Sequence, residues 1–116
     1  MGKFYQILLV LSTSITSCYY DVEDELYITC EAPEEVSFSE DVNPLIQQGC
    51  AISGCHVSSN SNRVNLETYQ EIKASVDNGS FQSYVIVDRS MPPSGPLNDC
   101  EIAILNKWIN QGAPNN

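Results

Sequence analysis

Positive charge is scarce in this chain of 116 residues, which has 5 lysine and arginine residues against 15 acidic ones. The formal net charge of −10 argues against nucleic acid as a main partner, because phosphate binding needs a basic surface. Hydrophobic residues make up 42% of the chain, too few for a protein with several membrane spans. The length allows one small domain and a targeting segment.

Histidine is scarcer still, because the chain contains only His56. No Ser-His-Asp arrangement, pair of catalytic carboxylates or phosphate-binding loop stands out, and one imidazole leaves little for acid–base chemistry. We therefore expect that the protein is not an enzyme and has no small-molecule substrate.

Cysteine, by contrast, is abundant. Five cysteines are an odd number, so at least one must be free, bound or modified.

Residues 1–17 have the pattern of an export signal. Lys3 supplies a positive charge, residues 4–11 form a short apolar run, and small polar residues follow. The apolar run is too short to span a bilayer, which indicates a secretory signal peptide. Residues 15–18 resemble a bacterial lipobox that ends at Cys18, and the alternative is an ordinary signal peptide with a chance cysteine. The lipobox predicts an exported chain that is anchored to a membrane by lipid on Cys18.

Acidic residues are concentrated between Cys18 and Gly49. Nine Asp and Glu residues lie there without any Lys or Arg, whereas residues 50–116 contain six acidic and four basic residues. A run of like charges repels itself and stays extended, so we expect an acidic tether over residues 18–36 and a folded domain over residues 37–116. The acids also resemble a surface-export signal of some Gram-negative lipoproteins, although a plain solvated linker is the simpler interpretation.

The most informative motif consists of Cys50, Cys55 and His56, with four residues between the cysteines and the histidine directly after the second one. In c-type cytochromes two cysteines attach haem through thioether bonds, and the histidine that follows binds the iron. The spacing here is two residues longer than the usual Cys-x2-Cys-His, and the longer spacing occurs in some multihaem cytochromes. The motif predicts one covalent haem c.

Met91 is the expected second ligand of the iron. After removal of the signal peptide it is the only methionine of the chain, and it precedes Pro92 and Pro93. The residue before a proline favours an extended backbone, and consecutive prolines stiffen a loop. A stiff, extended loop suits a thioether ligand on the opposite side of the iron from His56. The alternative is a methionine that fills a gap in the core.

Apolar residues recur at helical spacing in several segments, which predicts an all-α domain of three to four short helices. Ser39, Asn65 and Asn98 are the expected N-caps, and Glu101 forms a capping box with Asn98. Residues 84–87 are a short apolar run, which we expect to form a helical turn rather than a strand. The apolar positions are Val42, Leu45, Ile46, Leu66, Tyr69, Ile72, Val76, Ile102, Leu105, Trp108 and Ile109.

As a set, these features resemble a small class I cytochrome c domain carried on a lipoprotein of a Gram-negative bacterium. The resemblance covers about residues 36–116. Its matching pieces are a front helix over residues 39–46, the site at Cys50, Cys55 and His56, the loop of Met91, Pro92 and Pro93, and the closing segment 105–113.

The resemblance implies a one-electron carrier with a covalent haem and both axial positions of the iron filled. His56 and Met91 would be the axial ligands. It also implies weak, transient contacts with redox partner proteins. The lipid anchor would place the domain at the outer membrane, on the periplasmic side or at the cell surface.

The cysteines allow further arrangements. In cytochrome c domains the first and last helices cross, so the resemblance implies a possible Cys30–Cys100 disulfide, with two unpaired thiols as the alternative. A zinc site would use Cys50, Cys55, His56 and a fourth ligand such as Cys100. A haem-free surface lipoprotein would need only oxidation, with Cys50 paired to Cys55 and Cys30 to Cys100.

Overall fold

A computed structural model describes residues 30–116 of the chain. The predicted signal peptide, the predicted lipidation site Cys18 and the first part of the acidic tether lie outside the described residues. None of the helices in the described part is long and apolar enough to cross a bilayer.

The described residues form helices joined by loops, with no β-strand among residues 30–116. This confirms the all-α prediction. A π-helical segment, π1, leads directly into helix α1, and two further α-helices, α2 and α3, flank a second π-helical segment, π2. The bounds are Phe38–Val42 for π1, Asn43–Gly49 for α1, Tyr69–Asp77 for α2, Gln82–Val87 for π2 and Asp99–Asn110 for α3. The apolar run at residues 84–87 is helical, as predicted.

The front helix begins earlier than predicted, because Ser37 rather than Ser39 is its N-cap. The Ser37 hydroxyl accepts a hydrogen bond from the Glu40 amide, and the Asp41 carboxylate accepts one from the Ser37 amide at 2.8 Å. These reciprocal bonds satisfy amides that have no partner within the helix. Pro44 lies in the first turn of α1, where its missing N–H is tolerated.

Helix α2 begins later than predicted, because Thr68 rather than Asn65 is its N-cap. Thr68 and Glu71 form a capping box, in which the Glu71 carboxylate accepts the Thr68 amide at 3.0 Å. Two good cap residues thus stood three positions apart, and the one with a glutamate three residues downstream caps the helix. The helix ends at Asn78 and Gly79, as the sequence predicts, and Gly79 has φ +80°.

Helix α3 agrees with its prediction at both ends. The Asn98 side chain accepts the Glu101 amide at 3.0 Å, and the Glu101 carboxylate accepts the Asn98 amide at 2.9 Å. Gly112, with φ +92°, follows the helix in a left-handed conformation that a residue with a Cβ would adopt only under strain. The buried face of α3 consists of Ile102, Leu105 and Trp108.

The core is built around Trp108, which is fully buried. Phe38 packs between two aromatic rings, with centroids 5.6 Å from Trp108 and 5.0 Å from Tyr69. The Trp108 indole donates to the Pro114 carbonyl and the Tyr69 hydroxyl to the Ala113 carbonyl, both at 2.9 Å. The residues after α3 therefore fold back onto the core and satisfy its polar atoms.

Hydrogen bonds and a disulfide join the first residues of the described segment to its last helix and C-terminal residues. The Phe38 amide donates to the Asn116 side chain at 2.7 Å, and the Ser39 amide donates to the Asn116 backbone oxygen at 2.9 Å. Val36 is fully buried, and Cys30 forms a disulfide with Cys100 with their Cα atoms 4.7 Å apart. The last part of the predicted tether therefore packs on the helices.

Candidate functional site

An apolar cavity of about 530 Å³ lies beside the front helix and π2. It brings together all four residues predicted to hold haem, Cys50, Cys55, His56 and Met91, although Met91 is distant in sequence. Its volume is typical of pockets for small molecules and cofactors. The other residues that line it are Gly49, Ile52, Arg63, Val64, Leu66, Ser75, Ser80, Phe81, Tyr84, Val85, Pro92, Pro93 and Ser94.

The two extra residues between the cysteines are taken up by a turn. Cys50 ends α1, where its amide donates to the Ile46 carbonyl at 2.8 Å. The Cys55 amide then donates to the Ile52 carbonyl at 2.9 Å, and Gly54 has φ +80°, a conformation that favours glycine. The His56 amide closes the loop by donating to the Cys50 carbonyl at 3.1 Å. The longer spacing is therefore compatible with both cysteines lining the cavity.

A side chain outside the motif supports this loop. The Asn60 amide group donates to the carbonyls of Gly54 and Cys55, each at 3.1 Å. Glu67 accepts the Ser58 amide at 2.7 Å and so holds the turn that follows. Sequence reasoning missed Asn60, because an asparagine in a loop rich in Ser and Asn carries no signal of its own.

The imidazole of His56 is held in one orientation by the backbone. Its Nδ1 lies 2.7 Å from the Val64 carbonyl oxygen. A carbonyl oxygen only accepts hydrogen bonds, so Nδ1 carries a proton, and in the neutral imidazole the free lone pair is on Nε2. Histidines that bind metals usually have the second nitrogen bonded in this manner, which fixes the tautomer and the plane of the ring. The Leu66 amide donates to the His56 carbonyl at 3.0 Å and holds the same segments together.

The two cysteines of the motif differ in their surroundings. Cys50 is buried and Cys55 is half-buried, and neither is paired with another cysteine of residues 30–116. Burial, followed by the nearby thiol of Cys55, raises the pKa of the Cys50 thiol to about 11. Cys50 is therefore a neutral thiol at pH 7. The Cys50–Cys55 disulfide of the haem-free alternative is not formed here.

Met91 is held by the end of π2. The Tyr84 carbonyl accepts the amides of Ser90 and Met91, at 2.9 and 3.2 Å, and also the Ser90 hydroxyl. A turn closed by the Gly95 amide and the Pro92 carbonyl follows. The Met91 side chain is half-buried, packs on the core and lines the cavity. Met91 therefore both packs on the core and lines the cavity, so its position agrees with either interpretation of this residue.

Large apolar side chains line the cavity and remain exposed. Ile52, Val64 and Tyr84 have 42%, 52% and 55% of their surface accessible. Contiguous exposed apolar surface is unfavourable in water and commonly marks a binding site.

The zinc alternative loses the fourth ligand that was given as its example. Cys100 is bonded to Cys30. Within residues 30–116 no group of three or more His, Cys, Asp or Glu side chains is arranged to hold a metal ion by itself. A zinc site of Cys50, Cys55, His56 and Cys100 is therefore not assembled in the described part of the chain.

Comparison with known protein families, curated proteins and solved structures gives no match to this chain.

Proposed function

We propose that the protein is a c-type cytochrome that carries one electron at a time on a single covalent haem. Cys50 and Cys55 would form the thioether bonds, and His56 and Met91 would bind the iron. The observation that supports this most is that one apolar cavity is lined by all four residues. Haem, when bound, supplies a single iron that cycles between the ferric and ferrous states.

The chemistry of the donor set fits haem. The Nε2 of His56 carries the free lone pair that an iron ligand needs, because Nδ1 is bonded to the Val64 carbonyl. Cys50 and Cys55 line the cavity together with that histidine, and Met91 lines it as well. The remaining wall is predominantly apolar and matches the faces of a porphyrin.

The proposed ligands support an electron carrier rather than an enzyme. His56 and Met91 would both be ligands of the iron, so the iron would serve electron transfer and not the binding of a substrate. A methionine ligand and an apolar wall both favour the ferrous state and raise the reduction potential. Partners would be other redox proteins that meet the domain weakly and briefly.

The domain is proposed to be exported and attached to the outer membrane through lipid on Cys18, on the periplasmic side or at the cell surface. The Cys30–Cys100 disulfide supports export, because disulfides persist in oxidising compartments and are rare in the cytosol.

The test is the absorption spectrum and intact mass of the full chain, produced in a host that exports proteins and attaches haem. We expect a sharp reduced band after dithionite and a mass increase of one haem that survives denaturation. The Cys50→Ala/Cys55→Ala variant should lose the covalent mass. The matched control, Cys30→Ser/Cys100→Ser, removes two other cysteines and should retain it. A colourless chain at its polypeptide mass would overturn the proposal and favour the disulfide-stapled lipoprotein.

The axial ligands are tested separately. Met91→Ala should abolish the weak near-red band of the ferric protein while the haem stays covalently attached, because only the iron–sulfur bond is lost. Met1 is the only other methionine, and it lies in the predicted signal peptide. A band that persists in Met91→Ala would show that another group binds the iron.

A further inference from the structure

One charged side chain, Arg63, lines the otherwise uncharged cavity. Lys73 pairs with Asp77 and Arg89 pairs with Asp99, but Arg63 has no carboxylate within 4.0 Å among residues 30–116. It is exposed at the cavity wall. A cation beside an apolar cavity, without a partner from the chain, suits an apolar ligand that carries an acidic group.

Arg63 belongs to the segment that orients the iron ligand. Its amide donates to the Asn60 carbonyl at 3.3 Å, and the next residue, Val64, accepts the proton of His56 Nδ1. Asn60 in turn holds the carbonyls of Gly54 and Cys55. The guanidinium is therefore carried by a backbone that the motif itself holds in place.

We propose that Arg63 binds the carboxylates of the haem and so sets which edge of the ring faces residues 60–64. This inference rests on the proposed function. Haem is apolar over most of its surface and carries two carboxylates on one edge, which matches an apolar cavity with a single cation. A guanidinium binds carboxylates through two parallel hydrogen bonds, a geometry that lysine does not offer. Arg63 acts here as a positioning residue.

The charge has a second effect, on the iron. A positive charge near the cavity favours the ferrous state, which carries one positive charge less than the ferric state. Arg63→Gln should therefore lower the equilibrium constant for reduction. We expect a decrease of about threefold to tenfold, where tenfold corresponds to about 59 mV for one electron.

The first experiment measures the midpoint potential of the haem-loaded full chain and of three variants. Arg63→Gln should lower the potential, and Arg63→Lys should restore part of the difference because it keeps the charge. Arg89→Gln is the matched control, since it removes an equal charge that does not line the cavity. It should change the equilibrium constant for reduction less than about twofold. Equal shifts in Arg63→Gln and Arg89→Gln would overturn the inference.

The second experiment tests the carboxylates directly. Free haem and its dimethyl ester, which has no acidic group, are bound to the full chain carrying Cys50→Ala and Cys55→Ala. Adding Arg63→Gln should weaken haem binding about tenfold and leave ester binding unchanged, because only the charge-assisted hydrogen bonds are lost. An equal loss for both ligands, or no loss for either, would overturn the inference.

The two proposals fail in different ways. A chain that binds no haem in any form overturns the proposed function and this inference together. A haem-loaded chain in which Arg63→Gln has the potential of the unaltered protein overturns only the role of Arg63. If the Cys50→Ala/Cys55→Ala chain does not fold, the potentials of the covalently loaded variants still decide the question.

Discussion

Two regions of this small domain are stabilised differently. The first, the packed region, consists of Val36, Phe38, Trp108, Ala113 and their neighbours, and it is buried by the chain's own side chains. Hydrogen bonds to the carbonyls of Ala113 and Pro114 satisfy its polar groups.

The second, the cavity region, comprises the residues around Cys50, His56, Tyr84 and Met91. Its backbone is well bonded, because the Tyr84 carbonyl and the Cys50 carbonyl both accept amides from later residues. Its apolar side chains, however, border an open cavity. A side chain without partner atoms on one side loses its dispersion contacts there. The packed region is therefore closed by its own side chains, whereas the side chains of the cavity region leave room for a group of matching shape.

The largest expected effect comes from a matched pair of side-chain truncations that compares the two regions. In the haem-free chain, Leu105→Ala in the buried core should cost about 3–5 kcal/mol, and Leu66→Ala about 2–3 kcal/mol, because Leu66 is buried but borders the cavity whereas Leu105 does not. Haem loading should bring the two values together by placing atoms against Leu66. Denaturant unfolding at equilibrium measures both. Equal costs without haem would contradict the distinction between the two regions.

The disulfide should affect the packed region alone. It links residues 70 positions apart, so the Cys30→Ser/Cys100→Ser variant should lose about 2–4 kcal/mol of unfolding free energy. The visible spectrum should stay the same, because neither cysteine lines the cavity. A variant with an altered haem spectrum would show that the two regions are coupled through helix α3.

The cap of α3 gives a smaller effect. Asn98→Ala removes the side chain that accepts the Glu101 amide and should cost about 1 kcal/mol. Asn110→Ala, an exposed asparagine at the other end of the same helix, is the control and should be nearly neutral. Thermal unfolding of the two variants compares them. Equal destabilisation would mean that the cap contributes nothing.

The smallest effect concerns Glu71, whose pKa is lowered chiefly by the hydrogen bond from the Thr68 hydroxyl. A lowered pKa means that the stabilisation is present above the ordinary value of 4.5 and is lost as the pH falls below it. Thr68→Val should move the pKa of Glu71 up towards 4.5, while Thr68→Ser should preserve the lowered value. NMR titration of the carboxyl carbon measures the shift, and an unchanged pKa in Thr68→Val would exclude Thr68 as its main cause.

Local patterns predicted which segments are helical better than they predicted the residue at which each helix begins. The periodic apolar face and the capping box of α3 act within a few residues, so Asn98, Glu101 and Trp108 were placed correctly from the sequence. Ser39 and Asn65 were wrong as caps, because Ser37 and Thr68 lie nearby and have reciprocal acidic partners in Asp41 and Glu71. Competition between adjacent cap residues is decided by small differences in geometry that residue type does not reveal.

The residues with the chemistry of the site were visible in the sequence, but those that support them were not. Cys50, Cys55, His56 and Met91 stood out by type and spacing. The Val64 carbonyl that orients His56 is a backbone atom, which has no signature in the residue type. Arg63 had one available signal, as the only basic residue between the motif and helix α2.

Spacing along the chain was enough to predict the helical class, the cysteine and histidine motif, and the methionine loop. That Met91 lines the same cavity as His56, and that Cys30 bonds to Cys100, became visible only in the folded domain. It also decided that the tether packs on the helices as far back as Cys30. These features join residues that are far apart in sequence, and such contacts follow from how the helices pack, which no local pattern specifies.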